Sequence, residues 1–555
     1  MSRTTGAKLL VQSLEQQGAT NIFGVPGESY LAVLDALCDA PSLRFVNARQ
    51  EGGASMMADA HAKLTGEVGL CMVTRGPGAT NASSGVHVAF QDSTPMILFI
   101  GQVARDQLER EAFQEIDYRR MFGQMAKWVA QIDDAARVPE FIARAYHTAL
   151  SGRPGPVVLA LPEDMLRDEV AKPARLPAKA KPADSAPSPA ALEEIGTLLA
   201  AAERPLMIIG GGGWSQAARD AVVSFAEANA LPVGTSFRCQ DYFPNHHPNH
   251  AGHVGLGINP ALAEKIRQSD LLLVLGARLG DCTTSSYTLI DSPVPSQTLI
   301  HIHADPEELG RVFDPTLAIA ARHETAAIAL ASLGTVRSEQ TAGWVSGLHE
   351  DYEAFFAVPA RKSPGAVQMA DVMKHIEAQT PQDTIYTNGA GNYAIWVHRF
   401  LTYGGWRSQL AATSGSMGYG LPAAVAAAIA APDRTVICFA GDGCFQMTCQ
   451  EFATAAQEGA SIKVILVNNS SYGTIRMHQE RTYPTRVSGT NLINPDFAAM
   501  ARAMGGHAET VTKTEDFPDA FARMLAHDGP ALIEIITDPD AITPVRTISD
   551  LRSGG

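Results

Sequence analysis

Short, unbroken apolar runs recur along this chain, each followed by a polar or glycine-rich turn and then by a stretch of helical periodicity. In the first third they are IFGV (22–25), VGLCMVT (68–74), MILFIG (96–101) and PVVLALP (156–162). The middle third has LMIIGGGG (206–213), LLLVLG (271–276) and LIHIHAD (299–305), and the last third TIYTN (384–388), VICFAGDG (436–443) and VILVNN (464–469). A strand that is apolar on both faces must be covered on both faces, and intervening helices make such sheets parallel. The pattern predicts an α/β protein of three doubly wound parallel-sheet domains. Ligands of such sheets bind beyond the carboxyl ends of the strands, which directs attention to the residues just after each run.

A chain of 555 residues is too long for one core. The segment AKPARLPAKAKPADSAPSPA (171–190) is rich in Pro, Ala and Lys and reads as an extended linker; a weaker break lies at PARKSPGA (359–366). The expected division is a first domain over 1–170, a central domain over 191–340 and a third domain over 367–555, with linkers at 171–190 and 341–366. A net charge of −15 argues against nucleic acid or an anionic membrane as the main partner. No apolar run is long enough to span a bilayer, and the opening MSRTTGAKLLVQSLEQQG reads as an amphipathic helix rather than a secretory signal. The seven cysteines form no Cys-x-x-Cys pair, which points to reduced thiols and a cytoplasmic location.

The sharpest chemical signal is in the last third. VICFAGDGCF ends a buried strand in Gly441-Asp442-Gly443, and VILVNNSSYG ends the next in Asn468-Asn469, so both ends fall on one sheet edge. A carboxylate and an amide carbonyl are hard oxygen ligands suited to magnesium, which also keeps phosphate oxygens in its shell. The glycines let backbone N–H groups approach a phosphate, and a helix starting near Cys444 adds its positive end. Gly-Asp-Gly alone is ordinary turn punctuation. Its pairing with Asn-Asn after the next strand resembles the diphosphate–magnesium signature of thiamine-diphosphate enzymes.

The resemblance extends to the acetolactate synthase family through ATSGSMGYGLPAA (412–424), FGVPGE (23–28), RQEGGASMMADAHAKLTG (49–66), TRGPGATN (74–81) and AFQEID (112–117). It implies that Asp442, Asn469 and the main-chain carbonyl of Ser471 hold Mg2+ on thiamine diphosphate. It implies that the Gly415 carbonyl receives the cofactor's 4′-amino group, and that Met417, beside Ser416, wedges beneath the bent cofactor. Asn392, Gly441, Gly443, Cys444 and Phe445 complete the cradle on one side, and Tyr472, Gly473 and Thr474 on the other. From the first domain it enlists Gly27, Gly76, Asn81 and Glu51. By position alone, Glu51 is an acid at a helix start, complementing the dipole. The resemblance implies that it protonates N1′ of the aminopyrimidine in a poorly solvated setting, and that it serves a cofactor held by Asp442 of another subunit. The implied assembly is a homodimer or homotetramer.

The same resemblance bears on the reaction. Phe113-Gln114 stands, as in acetolactate synthases, where decarboxylase-type members carry a His-His pair; Gln orients substrate but is a poor proton donor. The implied function is a carboligase that decarboxylates a 2-oxo acid such as pyruvate and transfers the acyl carbanion to a second carbonyl. The alternative is a decarboxylase or carbon–carbon lyase acting on a 2-oxo acid or thioester. The sequence departs from the family at Arg75, where Ser is usual, and at His478, near a family Trp. With Tyr472 and Arg476 these make the pocket more polar. Arg75 or Arg476 either binds a substrate carboxylate or pairs with a structural acid. In the middle third, GGGGW (210–214) is a weak dinucleotide signal. VLGARLGD (274–281) and IHIHADP (300–306) resemble segments that hold FAD or ADP in some members, with Arg278 and Asp305 the residues concerned; FAD, ADP and an empty domain all stay open. NHHPNHAGHVG brings together His246, His247, His250 and His253, but in no helical or hairpin ligand spacing.

Overall fold

The computed structural model describes residues 2–337, 343–359 and 361–553. It contains three six-stranded sheets in which every pairing is parallel. The first runs Arg44–Asn47, Asn21–Gly24, Gly69–Val73, Met96–Gln102, Pro156–Pro162, Trp128–Gln131 across its width. The third runs Gln409–Ala411, Ile385–Asn388, Val436–Gly441, Ile462–Asn468, Ala531–Ile536, His507–Val511. Ranked by chain order, both read 2-1-3-4-6-5. The central sheet runs His250–Val254, Val233–Ser236, Pro205–Ile209, Leu271–Leu275, Thr298–His303, Leu317–Ala320, or 3-2-1-4-5-6. Each sheet therefore has a switch point beside its first strand, where loops diverge and leave a crevice.

The central strands are buried along their whole length, as unbroken apolar runs demand: Met96–Gln102, Pro156–Pro162 and Leu271–Leu275 expose nothing of note. Arg3–Thr5 pairs antiparallel with Glu169–Ala171, tying the start of the first domain to its end. The 171–190 segment then runs without regular structure to the helix Pro189–Ala201. It is pinned by Gln17, whose amide donates to the Ala178 carbonyl and accepts from Ala180 N–H. The second expected linker, 341–366, differs from its description: it holds a helix, Trp344–Phe356. Trp344 and Leu348 are buried in the core of the central domain, and the indole donates to the Pro205 carbonyl at 2.9 Å. Composition flagged only the proline-rich stretch after this helix.

The first and third domains pack on each other through helices of small residues. Glu51–Thr65 opens with Gly52, Gly53, Ala54 and Ser55, and Gly420–Ala430 is almost all alanine. Ala54, Met57 and Ala58 share one core with Leu421, Ala424 and Val425. Such side chains let backbones approach closely. A Cβ on Gly53 would lie 2.7 Å from the Glu451 carboxylate of the third domain. Among the described residues no helix is long and apolar enough to cross a membrane.

Candidate active site

In the third domain the strand Val436–Gly441 ends beside the switch point, and Asp442 opens a short helix, Asp442–Gln446. The helix thus begins two residues before Cys444, where the sequence suggested its start, and the acid itself sits in the first turn. The neighbouring strand Ile462–Asn468 runs parallel with Gly441 opposite Val467, which places Asn469 on the same edge. A cavity of about 270 Å³ lies there. Gly441, Asp442, Gly443 and Cys444 line one wall; Asn469, Ser471, Tyr472, Gly473 and Thr474 another; Asn392, Gly415 and Met417 close it. Of the third-domain residues expected to cradle a cofactor, Ser416 and Phe445 stand outside this lining. Phe445 is buried edge-on against Phe497, so it supports the helix from below.

The polar groups converge on Asp442. Its Oδ1 accepts the N–H of Gly443 at 2.8 Å, and its Oδ2 accepts the N–H of Ser471 at 3.3 Å and the Asn494 amide at 2.8 Å. Asn469 Oδ1 accepts the same Ser471 N–H at 3.1 Å. Burial pushes the Asp442 carboxyl above its ordinary value, opposed by these donors. A nearby cation would offset that desolvation. The set is one carboxylate, one side-chain amide and nearby main chain, which matches a hard cation that completes its shell with phosphate oxygens. Among the described residues no group of three or more His, Cys, Asp or Glu could hold a metal by itself. Gly443 is required for space, since a Cβ there would meet the Tyr472 ring at 2.5 Å. Cys444 Sγ accepts the Gly418 N–H at 3.2 Å and lies 3.3 Å from Tyr393 Oη, fixing the turn that carries Met417.

Asn494, Tyr393, Thr537 and Ile542 were not singled out from sequence. Thr537 and Ile542 line the cavity, and Asn494 also donates to Asn468. Thr537 directly follows the strand Ala531–Ile536, so the rule of inspecting strand ends finds it once that strand is recognised. Asn494 lies in an irregular segment with no spacing relation to either motif.

The first domain gathers its candidates at the equivalent edge. Glu51 is the first residue of Glu51–Thr65, with Gln50 as N-cap, and accepts from the Asn81 amide at 2.9 Å. Gly27 follows the strand Asn21–Gly24, and Gly76 follows Gly69–Val73 with φ +55°, its N–H donating to Tyr118. A Cβ on Gly76 would lie 2.7 Å from Cβ of Gln114, which brackets the Phe113-Gln114 loop against it. Phe113 is 72% exposed, and Asn81 is exposed as well. None of these residues lines the cavity at Asp442, whose described walls come wholly from the third domain.

The two arginines are engaged with acids. Arg75 lies between Glu28 at 3.1 Å and Glu163 at 3.3 Å, and its Nε donates to the Phe113 carbonyl. Arg476 pairs with Glu480 at 2.8 Å, and neither it nor the exposed His478 reaches the cavity lining. A cleft of about 730 Å³ opens at the switch point of the central sheet, between all three domains: Gly211, Gly212, Gly213 and Arg278 line it together with Lys63 and Asp92 of the first domain and Arg407 and Thr413 of the third. Arg278 is paired there with Glu308 at 3.3 Å. Asp305 is not part of the lining; its carboxylate accepts the N–H of Glu307. Of the four clustered histidines, His247 bonds Glu227, His246 lies against Thr402, His250 stacks on Phe243 and His253 is buried.

Comparison with known proteins gives the same three-part division. Family models described as the N-terminal TPP binding domain, the central domain and the C-terminal TPP binding domain of thiamine pyrophosphate enzymes match residues 4–121, 192–330 and 389–535. The chain is 34% identical over 552 residues to the acetolactate synthase large subunit of Corynebacterium glutamicum, covering 97% of this chain and 88% of that one. It is 33% identical over 557 residues to acetolactate synthase of Mycobacterium bovis, covering 98% and 89%. To the acetolactate synthase large subunit of Lactococcus lactis it is 32% identical over 543 residues, covering 96% and 92%. With similarity running through all three domains, this chain belongs to the thiamine pyrophosphate enzymes, as an acetolactate-synthase-like transferase.

Proposed function

We propose that this protein is a Mg2+-dependent carboligase that decarboxylates a 2-oxo acid such as pyruvate and transfers the acyl carbanion to a second carbonyl. The observation that carries this reading is the third-domain cavity, with Asp442, Asn469 and Ser471 drawn together at a sheet switch point. Thiamine diphosphate, when bound, supplies the electron sink for the carbanion left by loss of carbon dioxide. The chain supplies position and polarity. Asp442, Asn469 and the Ser471 carbonyl would hold the metal at the diphosphate. The Gly415 carbonyl would accept the cofactor's amino group, and Met417 would pack beneath the cofactor. Glu51 holds a proton at the pyrimidine ring, and Phe113 and Gln114 shape the substrate side without offering a good proton donor.

A cavity walled by one domain, and a half-buried Glu51 that lies outside it, support an active site completed by a second subunit in a homodimer or homotetramer. The cleft beside Arg278 would take FAD, ADP or neither, as members of this family differ there. Free cysteines among the described residues support a cytoplasmic enzyme.

Incubation with pyruvate, thiamine diphosphate and Mg2+ tests the reaction: acetolactate is expected, whereas acetaldehyde alone would favour a simple decarboxylase. Glu51→Gln is expected to keep cofactor binding and lose turnover, and Asp442→Ala to lose cofactor retention. Mixing these two inactive chains should restore activity, because one mixed site carries neither change. No recovery after verified subunit exchange would refute the shared site. A yellow protein with a flavin spectrum separates FAD from ADP.

A further inference from the structure

The helix that opens on Glu51 has a second polar end. Asp59 and Lys63 lie one turn apart on it, at the junction of the first and third domains. Lys63 Nζ sits 2.9 Å from Asp59 Oδ2 and also bonds Asp92, at the end of the helix Pro77–Asp92. Both carboxylates continue into the third domain. Tyr419 donates its hydroxyl to Asp59 at 2.6 Å, and Asp92 accepts both the N–H of Thr413, at 2.9 Å, and its hydroxyl. Thr413 and Tyr419 bracket the turn that carries Gly415 and Met417, two of the residues closing the cavity.

Asp59 and Tyr419 are wholly buried, and Asp92 exposes 2% of its side chain. Two buried carboxylates and an ammonium that keeps 19% of its side chain exposed at the edge of a cleft make a poor source of net stability, since desolvation cancels most of the attraction. What such a cluster does well is fix geometry, because each misplaced group is left buried and unpaired. Other bonds also cross this domain junction, such as Arg49 to Glu451 and Arg407 to the Leu64 carbonyl, but every link that this cluster makes to the third domain ends on the 413–419 turn. We propose that Asp59, Lys63 and Asp92 are positioning residues that hold the 413–419 turn against the first domain, and so set where the Gly415 carbonyl and Met417 meet the cofactor. This rests on reading 412–424 as the cofactor turn.

Thr413→Val and Tyr419→Phe each cut one link while keeping shape. Lys63→Met removes the ammonium, and Lys63→Arg keeps the charge. The full-length protein is titrated with thiamine diphosphate and Mg2+ by intrinsic fluorescence. The circular-dichroism band of the cofactor's imino tautomer is recorded at saturation, with thermal melting as the control for folding. The single-link variants are expected to melt near the parent temperature, bind cofactor about tenfold more weakly and lose much of the imino band. Lys63→Arg should retain both signals, and Lys63→Met should lose them. Unchanged affinity and band in Thr413→Val and Tyr419→Phe would overturn the proposal, as would losses that only track the unfolded fraction. Failure of the parent protein to bind thiamine diphosphate would instead overturn the cofactor reading, and this inference with it.

Discussion

Replacing Glu480 by Gln tests how the outer wall of the cavity is held. The Glu480 side chain exposes 0% of its surface and is gripped by Arg552 at 2.7 and 3.0 Å, by Arg476 at 2.8 Å and by the N–H of Thr485 at 2.8 Å. These bonds fasten the helix Ile548–Arg552 onto Gly473–Thr482, whose first residues line the cavity together with Ile542. Glu480→Gln preserves shape but removes the charge and one acceptor oxygen. Hydrogen bonds to charged groups are worth about 1.5–3 kcal/mol each. The two arginines are 20% and 39% exposed and can turn to water, so their desolvation is partly recovered. The net cost is about 2–3 kcal/mol. Arg552, with help from Thr485 and Arg476, holds the carboxyl down at about 2. A depressed acid stabilises the fold above its unfolded value and loses that contribution as pH falls through the folded value. The parent–variant difference should therefore be full at pH 7 and shrink between about pH 4.5 and 2. Urea unfolding at pH 7 and under acid conditions reads the stability, and a thiamine-diphosphate titration reads the wall. A difference below about 0.5 kcal/mol at pH 7, or one that does not narrow in acid, would refute the argument.

Gly85→Ala should destabilise the first domain by about 3 kcal/mol or more, because the new Cβ would lie 2.1 Å from Ser55 Oγ and 2.6 Å from its backbone carbon; an unchanged melting temperature would contradict this close approach. Burial pushes His61 and His301 down to about 4 and His250 and His323 to about 3. A lowered folded value means that the unfolded chain binds these protons first, so stability is full above about pH 6.5 and falls below it by about 1.4 kcal/mol per pH unit for each histidine. Melting curves between pH 7 and 5 check this, and a flat profile would count against neutral buried rings. Arg75→Ser should release the Phe113 carbonyl and speed tryptic cleavage at Arg110, with a stability loss of only about 1 kcal/mol, since Glu28 and Glu163 are 65% and 32% exposed. Cleavage at the parent rate would mean that Arg75 does not clamp this loop.

The strands read from sequence are those buried on both faces. Gly69–Val73, Leu271–Leu275 and Val436–Gly441 are continuous apolar runs because helices cover both sides. The edge strands Arg44–Asn47, Gln409–Ala411 and Leu317–Ala320 are short and partly polar or exposed, so their sequences look like loop. Ala531–Ile536 is as apolar as its neighbours; its pattern was legible, and with it Thr537. That Asp442 and Asn469 share one sheet edge and one cavity was legible because both directly follow buried parallel strands. The roles of Asn494 and Glu480 were not, because each depends on partners that only the folded chain brings near. Arg75 and Arg476 show the converse limit: sequence locates a cation but not the carboxylates that engage it.

The two outer domains share a strand order, and this bears on the proposal that the site is divided between two chains. In each, the second strand in chain order leads into a helix of small residues: Arg44–Asn47 into Glu51–Thr65, and Gln409–Ala411 into Gly420–Ala430. These two helices pack on each other within the chain. The segments that precede them, Glu51 in one domain and the turn bearing Gly415 and Met417 in the other, therefore occupy equivalent places in their own sheets. Tight packing between the helices occupies the intrachain junction, and half-buried Glu51 stays outside the Asp442 cavity, whose described walls come from its own domain alone. In the proposed dimer, Glu51 of one chain would meet the Asp442 cavity of the other, which its own chain leaves without a first-domain wall. Under the proposed shared site, Glu51 and Asp442 would each act twice per dimer, and the Lys63 cluster, bonded to both Thr413 and Tyr419, links the Glu51 helix to the 413–419 turn.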